Sequence, residues 1–201
     1  MTRGPELILI VCEGKTEALY FAILKRKFSL PSFIKILPDL ELGEYSTYGQ
    51  HDNLIEAAFS KADEYSEMFG VDSCDIETWA VCDRDNLKDS YTKLRNYATK
   101  KSVRLAFSDP QFENYLLQHF SCNNCRKSGR SVERELSDKI ISENMSFGLY
   151  RKNDLSWLEY MIDRKHSIVK MAIKNAANFS NHTKQPFFTV HKLTERLLQL
   201  A

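Results

Sequence analysis

Three acidic side chains follow two apolar segments of the sequence, at the points where the segments end. Glu13 follows residues 7–12, and Asp83 and Asp85 follow residues 78–82. If both segments are strands of one parallel sheet, their carboxyl ends meet at the edge where open α/β sheets bind ligands. Carboxylates there can bind a hard cation such as Mg²⁺ or Mn²⁺, or act as a general acid or base. The spacing therefore predicts a metal site or an acid/base site at that edge.

Each acidic segment also has a simpler interpretation as a solvated turn. For residues 13–17 alone the surface turn is the better interpretation, and for residues 83–86 it is about equally good. An extended chain would point Asp83 and Asp85 the same way, and three converging carboxylates repel one another unless a cation lies between them. A phosphate-binding loop is excluded, because the position of its first glycine is occupied by Leu9.

The segments that must position these side chains alternate between strand and helix patterns. The run at 7–12 is apolar without alternation, as in a strand buried on both faces. The predicted strands are 7–12, 33–37, 78–82 and 103–107, and the predicted helices are 18–27, 52–69, 90–101 and one that begins at Pro110 after the capping residues Ser108 and Asp109. This βαβαβαβα order predicts an α/β fold with a parallel sheet flanked by helices.

The second part of the chain has a different pattern. Residues 122–131 are basic and short of apolar side chains, which favours a mobile loop. From Val132 onward the pattern is helical, with the clearest helices at 155–179 and 190–200, capped by Asp154 and Thr189. We therefore expect a catalytic core over residues 1–121, with residues 122–201 forming a basic loop and a helical extension packed on the same domain.

Composition limits the function classes. The 201 residues contain 28 Lys and Arg against 27 Asp and Glu, a formal net charge of +1. A nucleic-acid surface would therefore have to be a local basic patch. The first residues lack the pattern of a signal peptide, no stretch is long enough to span a bilayer, and five cysteines form no regular framework. These features predict a cytoplasmic protein with no membrane contact.

Two further groups of residues have a possible role in binding. Arg126, Lys127 and Arg130 belong to the densest basic run outside a strong helix pattern, and either form a solvated loop or contact phosphates. Lys15 is a further candidate for nucleic-acid contact. The spacing of His119, Cys122 and Cys125 is zinc-like, but no second cysteine pair follows to complete four ligands.

The acidic pattern resembles the Toprim catalytic domain, and the longer motifs are similar to those of the RloB family. The resemblance is carried by residues 11–17, 83–85, 108–120, 150–152 and 186–193, in order over nearly the whole chain. The sequence departs from the family pattern at Asp109, where asparagine is expected, and at Phe187-Phe188, where smaller and more polar residues are usual. Neither departure affects a proposed metal ligand.

The resemblance implies a Toprim-like fold and a metal-dependent nuclease that hydrolyses phosphodiester bonds of DNA or RNA. It further implies an effector of anti-phage defence by abortive infection, a toxin that acts with a partner ATPase. The alternative is a non-catalytic, nucleic-acid-binding regulatory subunit of that ATPase. Whether the chain forms a homo-oligomer is left open.

The resemblance also lends roles to single residues. Glu13 matches the Toprim glutamate, which binds metal or transfers a proton, and Asp83 and Asp85 match the metal-binding aspartates. Glu17 and Glu113 match positions that complete a second metal site, so the cofactor would be one or two Mg²⁺ or Mn²⁺ ions. Lys152 matches a late catalytic lysine that can face the scissile phosphate.

Overall fold

The computed structural model describes residues 7–44 and 47–201, and within them the central feature is a five-stranded sheet. Its strands are β1 (Leu7–Cys12), β2 (Ile34–Leu37), β3 (Ile76–Asp83), β4 (Val103–Asp109) and β5 (Phe187–Phe188). They lie in the order β2-β1-β3-β4-β5, with the first four parallel and β5 antiparallel to β4. The predicted α/β class and the four predicted strands are confirmed.

Helices cover both faces of the sheet. They are α1 (Lys15–Lys27), α2 (His51–Phe69), α3 (Tyr91–Lys100), α4 (Phe112–Leu116), α5 (Arg130–Glu143), α6 (Ser156–Arg164), α7 (Ser167–Ala177) and α8 (Val190–Leu198). The apolar side chains of α2 and α3 form one core with alternate residues of β1, and α1 and α4–α8 form the other core. This explains the unbroken apolar run of β1, because a strand covered on both faces buries every side chain.

The helical second part of the chain contributes to the main core. Leu136, Leu158 and Leu193 pack in the same cluster as Tyr20 and Tyr115 from the first part. Among the described residues, no helix is both long enough and apolar enough to cross a membrane. The expectation for the first residues of the chain, 1–6, lies outside the described residues.

The predicted helix over 155–179 is wrong in one respect, since the structure has two helices there. The backbone leaves the helical conformation at Lys165, with φ −154° and ψ 85°. The two halves serve different neighbours: α6 packs against α1, whereas α7 packs against α8 and the 3₁₀ turn Leu117–His119. One straight helix could not reach both surfaces.

The predicted helix start at Pro110 is also wrong. β4 continues through Ser108 and Asp109 because β5, which the sequence did not predict, pairs with these two residues. The helix begins only at Phe112, where the N–H of Gln111 donates to Asn114 Oδ1 at 3.2 Å in a capping box. As a result, Asp109 lies at the carboxyl edge of the sheet, beside the end of β3.

The predicted caps of the late helices are only partly right. Thr189 does stand at the N-cap position of α8, but its side chain makes no capping hydrogen bond to that helix. Leu155, rather than Asp154, is the N-cap residue of α6, and Asp154 accepts from the Ser156 N–H at 3.1 Å.

Candidate metal centre

The acidic residues that follow β1 and β3 lie next to each other, because these strands are neighbours in the sheet. The pairing of Cys12 with Val81 continues into Glu13, whose N–H donates to Val81 O at 2.9 Å. The negative charges of the five predicted ligands interact with one another. The charge of Asp85 raises the pKa of Glu13, and the charges of Glu13, Asp83 and Glu113 raise that of Glu17. The charges of Glu13, Asp85 and Glu113 raise the pKa of Asp83. The fold thus brings all five into one acidic centre.

Only one of the two carboxylate oxygens of Glu13 accepts a side-chain hydrogen bond among the described residues. Gln50 Nε2 donates to its Oε1 at 2.8 Å. Its Oε2 is buried and has no hydrogen-bond partner among the described residues. Burial raises the pKa of Glu13 to about 7, the hydrogen bond from Gln50 opposes this rise, and the charge of Asp85 adds to it. A buried carboxylate oxygen without a partner suits direct coordination to a cation.

Glu17 lies in the first turn of α1 and is only 8% exposed. Its pKa is raised to about 8, chiefly by burial and also by the charges of Asp83, Glu113 and Glu13. Its carboxylate folds back over Gly14, where a Cβ would come within 2.7 Å of Glu17 Oε2. Although the helix dipole alone favours an acidic residue in a first turn, this burial among like charges goes beyond that effect.

The two aspartates after β3 do not lie in one extended segment, contrary to the sequence prediction. The strand ends at Asp83, and the chain turns so that the N–H of Asp85 donates to Asp83 Oδ1 at 3.0 Å. Asp83 is half-buried, whereas Asp85 is exposed and accepts from Gln111 Nε2 at 3.1 Å. Burial raises the pKa of Asp83 to about 7, with Glu13, Asp85 and Glu113 adding to it.

Glu113 and Lys152 are neighbours in the structure. Glu113 is 4% exposed and accepts from the Tyr150 hydroxyl at 3.1 Å. The Lys152 ammonium lies 4.0 Å from Glu113 Oε1 and 3.9 Å from Glu133 Oε1, with 55% of its side chain exposed. Lys152 therefore faces the acidic centre, where it serves as a counter-ion for two carboxylates.

A tether positions the segment that carries Lys152. The Thr16 hydroxyl donates to Asn153 Oδ1 at 3.1 Å and accepts from the Asn153 N–H at 3.3 Å. Asn153 has φ +64°, a left-handed conformation that asparagine tolerates better than most residues. This pair joins the Lys152 segment to the first turn of α1, beside Glu17.

The donor set fits a hard divalent cation. All five acidic side chains supply carboxylate oxygens, and three of them have raised pKa values because they are buried near like charges. In the part of the chain that the structure describes, no three His, Cys, Asp or Glu side chains stand in ligand positions around one point. Three of these carboxylates could therefore hold one cation only if their side chains moved toward it, and like charges gain from such a movement only when the cation is bound.

The four predicted basic residues lie in two segments, the one that leads into α5 and the start of α1. Arg126 and Lys127 are exposed in the segment before α5, and Lys127 pairs with Glu135 at 3.1 Å. Arg130 is the exposed first residue of α5, and Lys15 is the exposed first residue of α1. Of these four, Arg126 lines a cavity beside the acidic centre, together with Arg84.

His119 is a core residue rather than part of a zinc site. It is fully buried, with Nδ1 3.1 Å from Leu116 O and Nε2 3.3 Å from the Tyr20 hydroxyl. Both ring nitrogens therefore have protein partners, and Cys122 is exposed while Cys125 is buried. Packing explains the zinc-like spacing.

Sequence reasoning missed the neutral donors that hold the carboxylates. Gln50 donates to Glu13 and Gln111 donates to Asp85. Gln111 belongs to the motif at 108–120, but the sequence analysis assigned it no role. Gln50 lies in none of the predicted strands and helices and in none of the motifs, so the sequence offered no signal for it. Glu133 was missed because it reads as an ordinary exposed position of an amphipathic helix.

Fold and site together define an α/β protein with an acidic, cation-suited centre at the carboxyl edge of its sheet. The sequence model of the RloB-like protein family matches residues 8–197, so the chain belongs to this family. A search of the curated proteins finds no significant match. A search of the solved structures likewise finds none.

Proposed function

We propose that this chain is a metal-dependent nuclease that hydrolyses phosphodiester bonds of DNA or RNA. The observation that carries the proposal is Glu13 Oε2, which is buried at the end of β1, next to the aspartates that follow β3, and has no hydrogen-bond partner among the described residues. Structural ion pairs would leave no such atom, whereas a cation ligand must keep an oxygen available. A bound Mg²⁺ or Mn²⁺ would activate water and neutralise charge that develops on the phosphate.

The residues divide the work between binding the cation and supporting the ligands. Glu13, Asp83 and Asp85 would hold one ion, with Glu17 and Glu113 available for a second. Gln50, Gln111 and Tyr150 each donate a hydrogen bond to a ligand carboxylate and fix its orientation. Lys152 would neutralise phosphate charge on the side away from the cations, once the cations have taken over the carboxylates.

The decisive experiment compares cleavage of plasmid, single-stranded DNA and total RNA with Mg²⁺, Mn²⁺ or chelator. The double variant Asp83→Asn plus Asp85→Asn keeps shape and hydrogen-bonding capacity but removes two charges. We expect it to lower cleavage by about 10³-fold or more while folding normally. A matched control is Asp63→Asn plus Asp138→Asn, two exposed carboxylates on α2 and α5. Wild-type cleavage by the first variant would exclude this assignment.

The cellular part of the proposal is that the chain acts as a toxin in anti-phage defence, gated by a partner ATPase. It is supported by the resemblance of the motifs to the family. In addition, Leu9 replaces the first glycine of a phosphate-binding loop, so an ATPase activity would have to come from a partner. Expression of the chain with and without a neighbouring ATPase gene, scored for toxicity and phage yield, tests it. Equal toxicity in both cases would contradict gating.

A further inference from the structure

A cationic cavity lies at the same edge of the sheet as the acidic centre. It measures about 600 Å³ and is lined chiefly by Arg84, Arg126, Lys184, His182, Gln185 and Asp109. Arg84 lies between the two aspartates that follow β3, and Asp109 is the last residue of β4. The cavity therefore begins within one residue of the proposed metal ligands.

Asp109 is a buried carboxylate that lines this cavity. Its side chain is 3% exposed, and it accepts from Arg84 Nη1 at 2.9 Å and from Gln185 Nε2 at 2.6 Å. Both carboxylate oxygens are thus occupied, and Arg84 is held at the cavity wall with 46% of its side chain exposed. A buried carboxylate that fixes one face of a guanidinium leaves its other N–H groups available to an outside acceptor.

A turn at residues 181–184 contributes Thr183 and Lys184 to the lining of the cavity. Asn181 Oδ1 accepts from the N–H of Thr183 at 3.0 Å and from its hydroxyl at 2.8 Å. The Lys184 N–H donates to Asn181 O at 3.0 Å, which closes the turn. The backbone at Lys184 is therefore held in a defined position by the hydrogen bonds of the turn.

The charge balance of the cavity is positive. Within the described residues, Arg84 pairs with Asp109, whereas neither Arg126 nor Lys184 forms an ion pair. These two cations share a cavity with Arg84, which lies between the proposed ligands Asp83 and Asp85 in the chain, so positive charge is concentrated near the acidic centre in a protein of net charge only +1. Their position suits a polyanion that must pass next to an acidic centre, since a free anion would be repelled from it.

We propose that this cavity binds a backbone phosphate of a polynucleotide, next to the phosphate held at the acidic centre. The assignment rests on the proposed function, which supplies the polynucleotide. Arg84 and Arg126 would donate to phosphate oxygens, Lys184 would add a point charge, and the volume accommodates a nucleotide unit rather than a bare ion. Asp109 is a positioning residue, because it acts through Arg84.

The test measures binding rather than cleavage. Fluorescence anisotropy with labelled single-stranded DNA and RNA oligonucleotides is recorded in Ca²⁺ and in chelator, over a series of salt concentrations. The double variant Arg126→Ala plus Lys184→Ala is compared with Lys170→Ala plus Lys174→Ala, which removes the same charge from exposed positions of α7. Melting temperatures confirm that both variants fold.

We expect the cavity variant to bind about tenfold or more weakly than the control at 0.1 M salt. Each lost phosphate contact should also reduce the slope of log K against log salt by about 0.7. Equal affinity and slope in the two variants would overturn the proposal, as would wild-type protein that binds no oligonucleotide in either condition.

Two further measurements are needed. The first distinguishes a free nucleotide or phosphate from a polynucleotide as the ligand, and the second distinguishes failure of the cavity assignment from failure of the nuclease proposal. Inorganic phosphate and ATP are tested as competitors. If ATP binds more tightly than the oligonucleotide and loses affinity in the cavity variant, the site is one for a free nucleotide and the polynucleotide assignment is wrong. If the oligonucleotide binds through the cavity but is never cut under any metal condition, the nuclease proposal fails and the cavity assignment stands.

Discussion

At the residue scale, the Glu17 carboxylate occupies space that a Cβ atom on residue 14 would fill, and Gly14 has no Cβ. A Cβ on residue 14 would come within 2.7 Å of Glu17 Oε2, so that Gly14→Ala must displace the Glu17 carboxylate. The backbone of Gly14, at φ −131°, is open to alanine, so folding should be little affected. We expect Mn²⁺ affinity, measured by calorimetry, to fall about tenfold.

The control for Gly14→Ala is the same change in a Glu17→Gln background. If Gly14 acts through the Glu17 carboxylate, the alanine should have no further effect on Mn²⁺ affinity there. An equal loss in both backgrounds would show that Gly14 acts in another way.

Lys152 is the second residue whose neighbours define a test. Its ammonium lies within 4.0 Å of carboxylates on Glu113 and Glu133, on the side of the acidic centre. We expect Lys152→Ala to cut about a hundred- to thousand-fold more slowly with unchanged melting temperature, because a positioned charge on the phosphate would be lost. Lys152→Arg should recover only part of the rate, since the guanidinium is larger and planar. The exposed neighbour Arg151→Ala is the control, and equal rates for Lys152→Ala and Arg151→Ala would contradict a catalytic role.

At the scale of elements, the Thr189 side chain forms hydrogen bonds with the backbone of β4 next to the short strand β5. The Thr189 hydroxyl accepts from the Phe107 N–H at 2.9 Å and donates to Leu105 O at 3.0 Å. It thus continues the pairing that β5 makes with Ser108 and Asp109, and it anchors the start of α8 to the sheet. This explains why the residue at the N-cap position does not cap its own helix.

Replacement of Thr189 by valine keeps the shape of the side chain but removes both hydrogen bonds. Thr189 is 5% exposed, so the Phe107 N–H and the Leu105 carbonyl would lose a buried partner. We expect the free energy of unfolding to fall by about 2–4 kcal/mol, measured by urea denaturation. Thr189→Ser retains the hydroxyl and should cost less, mainly through the lost methyl group. Similar losses for valine and serine would assign the effect to packing instead.

At the scale of the whole molecule, the acidic centre makes the stability of the metal-free protein depend on pH. Burial raises the pKa of Glu13 and Asp83 to about 7 and that of Glu17 to about 8. A raised pKa means that the folded state holds protons that the unfolded state has lost. This contribution is complete below about pH 4 and is lost as the pH rises to about 8.

We therefore expect the melting temperature in chelator to fall between pH 6 and pH 8.5. Saturating Mg²⁺ or Mn²⁺ should reduce this fall, because the cation takes the place of the protons and binds more tightly at high pH. The variant Glu17→Gln should show a flatter profile and a smaller response to metal. A melting temperature that is independent of pH in chelator over this range would contradict the electrostatic description of the centre.

Histidines act in the opposite direction at lower pH. Burial lowers the pKa of His119 and of His191 to about 4, so the unfolded state binds protons more readily than the folded state. Their contribution is complete above about pH 6.5 and is lost as the pH falls to about 4. Between about pH 4 and pH 6.5 the two effects therefore oppose each other. Above about pH 6.5 only the loss from the carboxylates remains, so the stability of the metal-free protein is expected to fall there.

The sequence by itself determined the class of fold and the identity of the acidic residues. The run at 7–12 is apolar at every position because β1 is covered on both faces, and this signal is local to the strand. The positions of Glu13 and Asp83 at strand ends follow from the same pattern, since parallel strands bring their carboxyl ends to one edge. Glu17 and Glu113 lie on α1 and α4 and were indicated only by the family resemblance, and the metal-binding role of all five carboxylates stays a prediction.

Only the tertiary structure decided the contacts that join distant segments. β5 has two residues, too few for any periodicity, and it exists because β4 offers an edge for pairing. The break at Lys165 follows from the separate surfaces that α6 and α7 cover. Gln50, Gln111 and the cavity at Asp109 depend on which loops meet at the carboxyl edge, and such meetings leave no spacing in the sequence. Local patterns determine the elements, but partners separated by dozens of residues are chosen by packing.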